Sequence, residues 1–222
     1  MQNYELLHTL TFCQIQYNFM DEQHQAGTEG LRYAADHGLG IVIMEPLRGG
    51  MLTRDIPSIN NIWKKAPVQR SLPDWALRWV WNHPEVTVVL SGMSSFKQVE
   101  QNVGYAKSGL PDSLSQEELS LFKEVEVEYK KRIKIPCTGC RYCTPCPSNV
   151  SIPECFEMYN QGCMFEAPDA ASLQYGFALS GFLTGSPGFA SQCQECGECE
   201  EKCPQGIPIR EYLKKVAAYF GK

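Results

Sequence analysis

Cys137-Thr138-Gly139-Cys140-Arg141-Tyr142-Cys143-Thr144-Pro145-Cys146-Pro147 is answered farther along the chain by Cys193-Gln194-Glu195-Cys196-Gly197-Glu198-Cys199-Glu200-Glu201-Lys202-Cys203-Pro204. Eight of the eleven cysteines fall in these two runs. Two intervening residues let a backbone curl around the corner of an iron-sulfur cubane and present successive thiolates to different irons, while a fourth thiolate followed by proline arrives from farther off. The spacing therefore reads as two [4Fe-4S] clusters. The last gap of the first run holds two residues, Thr144 and Pro145, where the second run holds three, so Cys146 is the ligand least determined by the pattern. Two zinc sites are the competing reading, although zinc more often takes paired C-x2-C units well apart in sequence than three close cysteines plus a Cys-Pro unit repeated twice. A disulfide framework is the third: residues 1–20 carry Glu5 and no uninterrupted apolar run, so nothing there resembles a secretory signal, and a reducing, cytoplasmic setting is expected. Cys13, Cys155 and Cys163 are left over as buried or half-buried thiols without a role.

The runs resemble those of two-cluster ferredoxins, in which the fourth cysteine of each run ligates the other cluster. The resemblance implies one cluster on Cys137, Cys140, Cys143 and Cys203, and a second on Cys193, Cys196, Cys199 and Cys146. The long gap between the runs, Cys146 to Cys193, exceeds what a compact ferredoxin of strands and short loops needs and points to an all-helical two-cluster domain over residues 133–222. Helices are expected near Ile152–Phe165 and Ile207–Phe220, with a further helix and a glycine-rich loop in the uncharged stretch Ala170–Gln194. That stretch is interrupted by Gly176, Gly181, Gly185, Pro187 and Gly188 and suits a bilayer poorly.

A net charge of -5 and a pI near 5.5 over 222 residues argue against nucleic-acid and anionic-membrane partners, since Lys64-Lys65 and Lys130-Lys131-Arg132 read as solvated faces. Ahead of the cysteines, Ser115-Gln116-Glu117-Glu118 forms a capping box opening a helix to about Arg132, which Pro136 stops. Earlier still, strand and helix alternate. Strands are expected over Cys13–Asn18, Ile41–Met44 and Thr87–Leu90, and helices over Thr28–His37, after Ser71, and over Phe96–Ala106. The unbroken apolar run at Ile41–Met44 suits a parallel strand covered on both faces, so residues 1–132 read as a parallel α/β domain.

Gln14-Ile15-Gln16-Tyr17-Asn18, the turn Glu45-Pro46-Leu47-Arg48-Gly49-Gly50-Met51-Leu52, and Leu90-Ser91-Gly92-Met93-Ser94-Ser95 with Gln98, Gln101 and Asn102 resemble the sixth, seventh and eighth strands and loops of aldo/keto reductases. With the cysteine domain attached, the chain is similar to the branch of that family carrying a C-terminal ferredoxin-like domain. The resemblance implies the C-terminal part of a (β/α)8 barrel and an NADP(H) site. In that site Gln14 holds the nicotinamide carboxamide and Met44 stands where an aromatic usually lies under the ring. Leu47, Gly49 and Gly50 approach the pyrophosphate, and Gly92, Ser94, Gln98, Gln101 and Asn102 meet the adenosine end. Gly92 and Gln98 occupy positions where the family often puts a cation against the 2′-phosphate.

A full barrel takes roughly 250 residues. Here only about three of its eight strands precede the cysteines, and the family's catalytic Asp, Tyr, Lys and His match nothing in this chain; His8, His24, His37, His83 and Glu45 fit none of these roles. No catalytic residue is assigned. Two functions are expected to compete: the C-terminal portion of an iron-sulfur oxidoreductase with a partial NADP(H) site, or an electron-transfer module whose barrel remnant serves for docking. No flavin motif is visible to split a hydride pair into single electrons. Expected partners are a redox protein, a polypeptide supplying the rest of the barrel, or a second copy joined through open strand edges, because a three-strand sheet leaves Ile41, Ile43, Val88 and Leu90 short of cover.

Overall fold

The computed structural model describes residues 10–182 and 184–221; His8 lies outside them. The chain divides into two compact units, Met1–Val127 and Glu128–Lys222.

The first unit carries a three-stranded parallel sheet, β1 (Phe12–Gln16), β2 (Gly40–Met44) and β3 (Val88–Val89), in the order β1-β2-β3. Phe12 pairs with Gly40, Gln16 with Met44, Val42 with Val88 and Ile43 with Val89. Helix α1 (Gly27–Asp36) links β1 to β2, burying Leu31 and Ala34 and ending where Gly38 takes a φ of 72°. After β2 come a 3-10 turn (Met51–Thr53), α2 (Pro57–Trp63) and α3 (Leu72–Trp81). The Ser71 hydroxyl caps α3 by accepting from the Asp74 amide at 3.3 Å, and Trp75, Leu77, Trp79 and Val80 all turn inward. Helix α2 has no counterpart among the expected elements; Ile59 and Trp63 enter the core from it, and Trp63 stacks on Trp75 at 4.7 Å.

The sheet is covered on one face rather than two. Ile41 and Ile43 are fully buried, against the expectation that missing strands would strip them, because α1 packs on that side. Val42 and Met44 on the other face are only half-buried. At β3 the cover fails as expected: Val88 and Leu90 are each 44% exposed. Helix α4 (Phe96–Ala106) buries no residue at all, and its aligned Val99 and Val103 face outward with Phe96, which is 82% exposed.

Helix α5 (Gln116–Lys130) begins at the expected capping box, with the Ser115 amide donating to Glu118 Oε2 at 2.9 Å and the Glu118 amide to Ser115 Oγ at 3.2 Å. Glu118 is itself buried, and burial raises its pKa. The Ser115 amide and the Arg70 guanidinium outweigh that and hold the carboxyl below its ordinary value.

The second unit is helical: α6 (Ile152–Met164), α7 (Pro168–Ala178), a short α8 (Glu198–Glu201) and α9 (Ile209–Phe220). Phe156, Tyr175, Leu213, Val216 and Phe220 meet in one core, with Tyr175 stacked on Phe220 at 4.1 Å. The unit is an internal repeat. Cys146-Pro147 and Cys203-Pro204 each lead to a residue of positive φ, Asn149 at 58° and Gly206 at 61°, whose amide returns to the cysteine carbonyl at 2.9 and 3.1 Å. A buried aliphatic residue follows, Val150 or Ile207, and then the start of α6 or α9. No helix among the described residues is long and apolar enough to cross a membrane.

Candidate metal centre and an open cleft

Each cysteine run is held in place by side-chain hydrogen bonds. The Asn160 side chain accepts from the amides of Lys134 and Ile135 at 3.1 and 3.0 Å and donates to the Ile135 carbonyl at 2.8 Å, which fixes the entry to the first run. Asn149 Nδ2 donates to the Pro187 carbonyl at 2.7 Å and fixes the exit. For the second run, Glu200 accepts from the Arg210 amide at 2.8 Å and from its guanidinium at 2.9 and 2.7 Å, tying α8 to the start of α9. The middle cysteines sit in matching turns. Gly139 and Arg141, with φ of 68° and 64°, flank Cys140; Glu195 and Gly197, at 57° and 88°, flank Cys196. Left-handed residues on both sides bend the backbone around the side chain between them, and glycine takes that conformation without the strain a Cβ would add.

These turns gather the thiols around two cavities. Cys137, Cys140 and Cys143 line one together with Cys203. Cys193, Cys196 and Cys199 line the other together with Cys146, and Cys143 reaches its wall as well. The last cysteine of each run thus stands with the first three of the other. All eight are free thiols. Among the described residues no three His, Cys, Asp or Glu side chains converge on a single-ion position. Four cysteines lining one shared cavity suit the four-thiolate donor set of an iron-sulfur cubane.

Burial raises the Cys137 and Cys143 thiols, and the neighbouring Cys140 and Cys203 add to it. Cys199 is pushed up to about 11 by burial first and then by Glu200, with Cys193 and Cys146 contributing. Unligated, these groups hold their protons at neutral pH, so metal binding must displace them. Of the leftover cysteines, Cys13 and Cys163 are half-buried. Cys155 is buried, 3.5 Å from the Gly188 carbonyl oxygen, with its pKa pushed up by burial to about 12, the setting of an inert thiol.

In the first unit the loops at the carboxyl ends of β2 and β3 enclose an open cleft of about 550 Å³. The loop after β2 is strongly curved: Glu45, Arg48, Gly49 and Gly50 all have positive φ. Its shape is held from behind. Asn18 Nδ2 donates to the Glu45 carbonyl at 3.0 Å and to Asp21 at 2.9 Å, and Asp21 accepts from Arg48 Nη1 at 2.6 Å. Met44, Leu47, Gly49, Gly50, Gly92, Gln98, Gln101 and Asn102 line the cleft. Gln14 and Ser94 stand outside the lining. Gln14 donates to the Met44 sulfur, and the Ser94 amide donates to Gln98 Oε1 at 2.8 Å.

Glu45, Thr53, Pro73 and Ser91 line the cleft without having been expected there. Gln98 has a second task, since with Ser95 it forms the capping box of α4, a pattern legible in Ser95-x-x-Gln98. Among the described residues no Lys or Arg lines the cleft, and Glu45 is the one ionisable side chain there. His24, His37 and His83 stay away from it. His37 Nδ1 lies 2.7 Å from the Tyr33 carbonyl oxygen, and His83 lies between the Trp79 carbonyl and the Tyr17 hydroxyl.

Residues 4–126 match the profile of the aldo/keto reductase family, and residues 136–208 match a 4Fe-4S dicluster domain. Among solved structures, the aldo-keto reductase AKR11C1 from Bacillus halodurans, in its holo form, is 24% identical over 55% of this chain and 43% of its own, with a TM-score of 0.43. The apo form of the same protein gives the same identity and TM-score over 46% of its length. The chain thus spans less than half the length of these reductases. No curated protein matches.

Proposed function

Because the chain belongs to the aldo/keto reductase family and carries a 4Fe-4S dicluster segment, we propose that it is an iron-sulfur oxidoreductase subunit holding two [4Fe-4S] clusters. One is held by Cys137, Cys140, Cys143 and Cys203, and the other by Cys146, Cys193, Cys196 and Cys199. The observation that carries this reading is the exchange of the last cysteine between the runs at two separate cavities. When bound, such clusters supply one-electron transfer. The chain's own residues hold them, exclude water with Ile152, Phe156 and Leu213, and set the surrounding charge with Arg141, Lys202 and Arg210. Free thiols in this number belong to a reducing compartment, which we take to be the cytoplasm. Protein purified anaerobically is expected to contain about eight irons and eight acid-labile sulfides per chain, by the four-thiolate rule for each cubane. Two zinc ions without broad visible absorption refute the proposal.

The α/β unit is read as the C-terminal part of a (β/α)8 barrel whose cleft meets a nicotinamide dinucleotide, NADP(H) in the family's usual form, through Gln14, Met44, Leu47, Gly49, Gly50, Gly92, Ser94, Gln98, Gln101 and Asn102. The uncovered apolar residues of β3 and α4 favour completion by a second polypeptide or by another copy of this chain. A second reading has an observation of its own. Among the described residues lining the cleft there is no Lys or Arg and, apart from Glu45, no side chain that titrates near neutral pH, which suits an electron-transfer module with a non-catalytic α/β unit. Titration with NADH and NADPH separates the two readings. Saturable binding supports the oxidoreductase, with NADH expected to bind more tightly because nothing lining the cleft neutralises a 2′-phosphate. Absence of binding to either supports the module.

A further inference from the structure

The two thiol cavities differ in the fixed charge around them. Along the first run, residues 137–147, Arg141 is the only charged residue, and it pairs with Glu154 on α6. Along the second, residues 193–204, stand Glu195, Glu198, Glu200 and Glu201 against Lys202 alone. Two of those carboxylates are compensated from α9: Glu200 by Arg210 at 2.7 Å and Glu195 by Lys214 at 2.7 Å. Glu198 and Glu201 remain against one lysine, so the second site keeps an excess of one negative charge, where the first is balanced.

Arg210 and Lys202 line the second cavity, and Arg210 reaches over it, its guanidinium 3.7 Å from the position a Cβ on Gly197 would take. Only Arg141 plays that part at the first. Each cavity therefore has its own arginine, and each arginine pairs with a carboxylate, Arg210 with Glu200 beside Cys199 and Arg141 with Glu154 on α6.

Reduction adds one electron to a cluster and breaks no bond. A nearby carboxylate disfavours that added charge and a nearby cation favours it, and net charge is one of the determinants of cluster potential. Resting on the two-cluster reading, we propose that the cluster held by Cys146, Cys193, Cys196 and Cys199 has the lower reduction potential of the two, and that Arg210 is the positioning residue that keeps it from falling further by neutralising Glu200. Arg141 holds the equivalent place at the other site. The effect is partial, since Arg210 is half-exposed and solvent screens it.

The test is a potentiometric titration of the anaerobic holoprotein with dithionite as the reductant, followed by electron paramagnetic resonance. Two one-electron steps are expected. Arg210→Gln should move only the lower step to more negative potential. Arg210→Lys should restore most of the shift, because it keeps the charge and loses only the forked geometry. Arg141→Gln should move only the upper step. Should Arg210→Gln fail to hold its cluster, the double variant Glu198→Gln/Glu201→Gln decides, since neither residue is a ligand: it should raise the lower step and narrow the gap. A lower step unmoved by that pair, or Arg210 variants that move the upper step, overturns the inference while leaving two clusters in place. An iron content near four per chain overturns the two-cluster reading instead, and the inference with it.

Discussion

The helical unit closes a core around its own repeat, whereas the α/β unit, among the described residues, buries one side of its sheet and leaves β3 and α4 with apolar side chains in solvent. Both are built from ordinary amphipathic elements, so the difference lies in what each element is given to pack against. In the helical unit α6 and α9 face each other as equivalent halves, and α7 lays Tyr175 across them. In the α/β unit, α1 covers Ile41 and Ile43 and the tryptophan cluster fills the space beside α3, but α4, though it packs against α3, buries none of its residues.

The largest test of this contrast is Cys203→Ser. Cys203 stands with Cys137, Cys140 and Cys143 rather than with its own run, so the substitution should remove the first-run cluster, about half of the iron and visible absorption, and spare the other. Loss confined to the second-run cluster would mean that each run serves itself. Limited proteolysis of the same variant sharpens the comparison. With both clusters bound, a fragment beginning near Ile133 should survive; with one lost, it should be cut.

Trp75→Ala comes next. Trp75 is 1% exposed and stacked on Trp63, and truncation of a buried tryptophan typically costs about 3–5 kcal/mol. In urea the α/β unit should unfold at a markedly lower concentration than in the unsubstituted protein, while the cluster absorption follows its own, unshifted transition. A joint shift of both signals would show that the units unfold as one body.

Much of this organisation was legible in the residues. The cysteine spacing located both thiol groups, and Ser71 and Ser115 marked helix starts because a short hydroxyl side chain before an apolar repeat has few other uses. Helix α2 escaped because Pro57–Trp63 is too short for an apolar period to repeat. The buried state of Ile41 and Ile43 escaped because cover from α1 is a tertiary fact that strand counting cannot supply. Within the cleft, Leu47, Gly49, Gly50 and Gly92 were singled out only through the resemblance to aldo/keto reductases. The Asn18–Glu45 and Asp21–Arg48 bonds that shape the turn after β2 were not legible, since they join loops 27 residues apart.

Alkali should separate the folded protein from its unfolded chain. Burial raises Cys155 from 9.0 and Tyr129 from 10.0, each to about 12, in the helical unit, and Tyr17 from 10.0 to about 12 in the other. The folded state holds these protons more tightly than the unfolded one, so their contribution is complete below about pH 9 and is lost as pH rises from there through about 12. Urea midpoints measured at pH 8, 9.5 and 11 should fall in that order, by both cluster absorption and tryptophan fluorescence. A Cys155→Ala variant should flatten the fall for the helical unit alone, because Cys155 stands outside both ligand sets.

The smallest effect is expected at the open face. Phe96→Ser and Val103→Ser alter side chains that are 82% and 54% exposed, on a helix that buries no residue. In an isolated chain such changes move stability by no more than about 0.5 kcal/mol, and the urea transition of the α/β unit should stay in place. If a second copy covers this face, the same substitutions act on assembly instead. Sedimentation velocity of the unsubstituted protein should then show a dimer that dissociates on dilution, and Phe96→Ser/Val103→Ser should shift it to monomer with the urea midpoint of the dilute protein unchanged. A monomer that loses several kcal/mol on losing Phe96 would mean that this helix is held by the chain itself, and the contrast between a closed unit and an open one would fail.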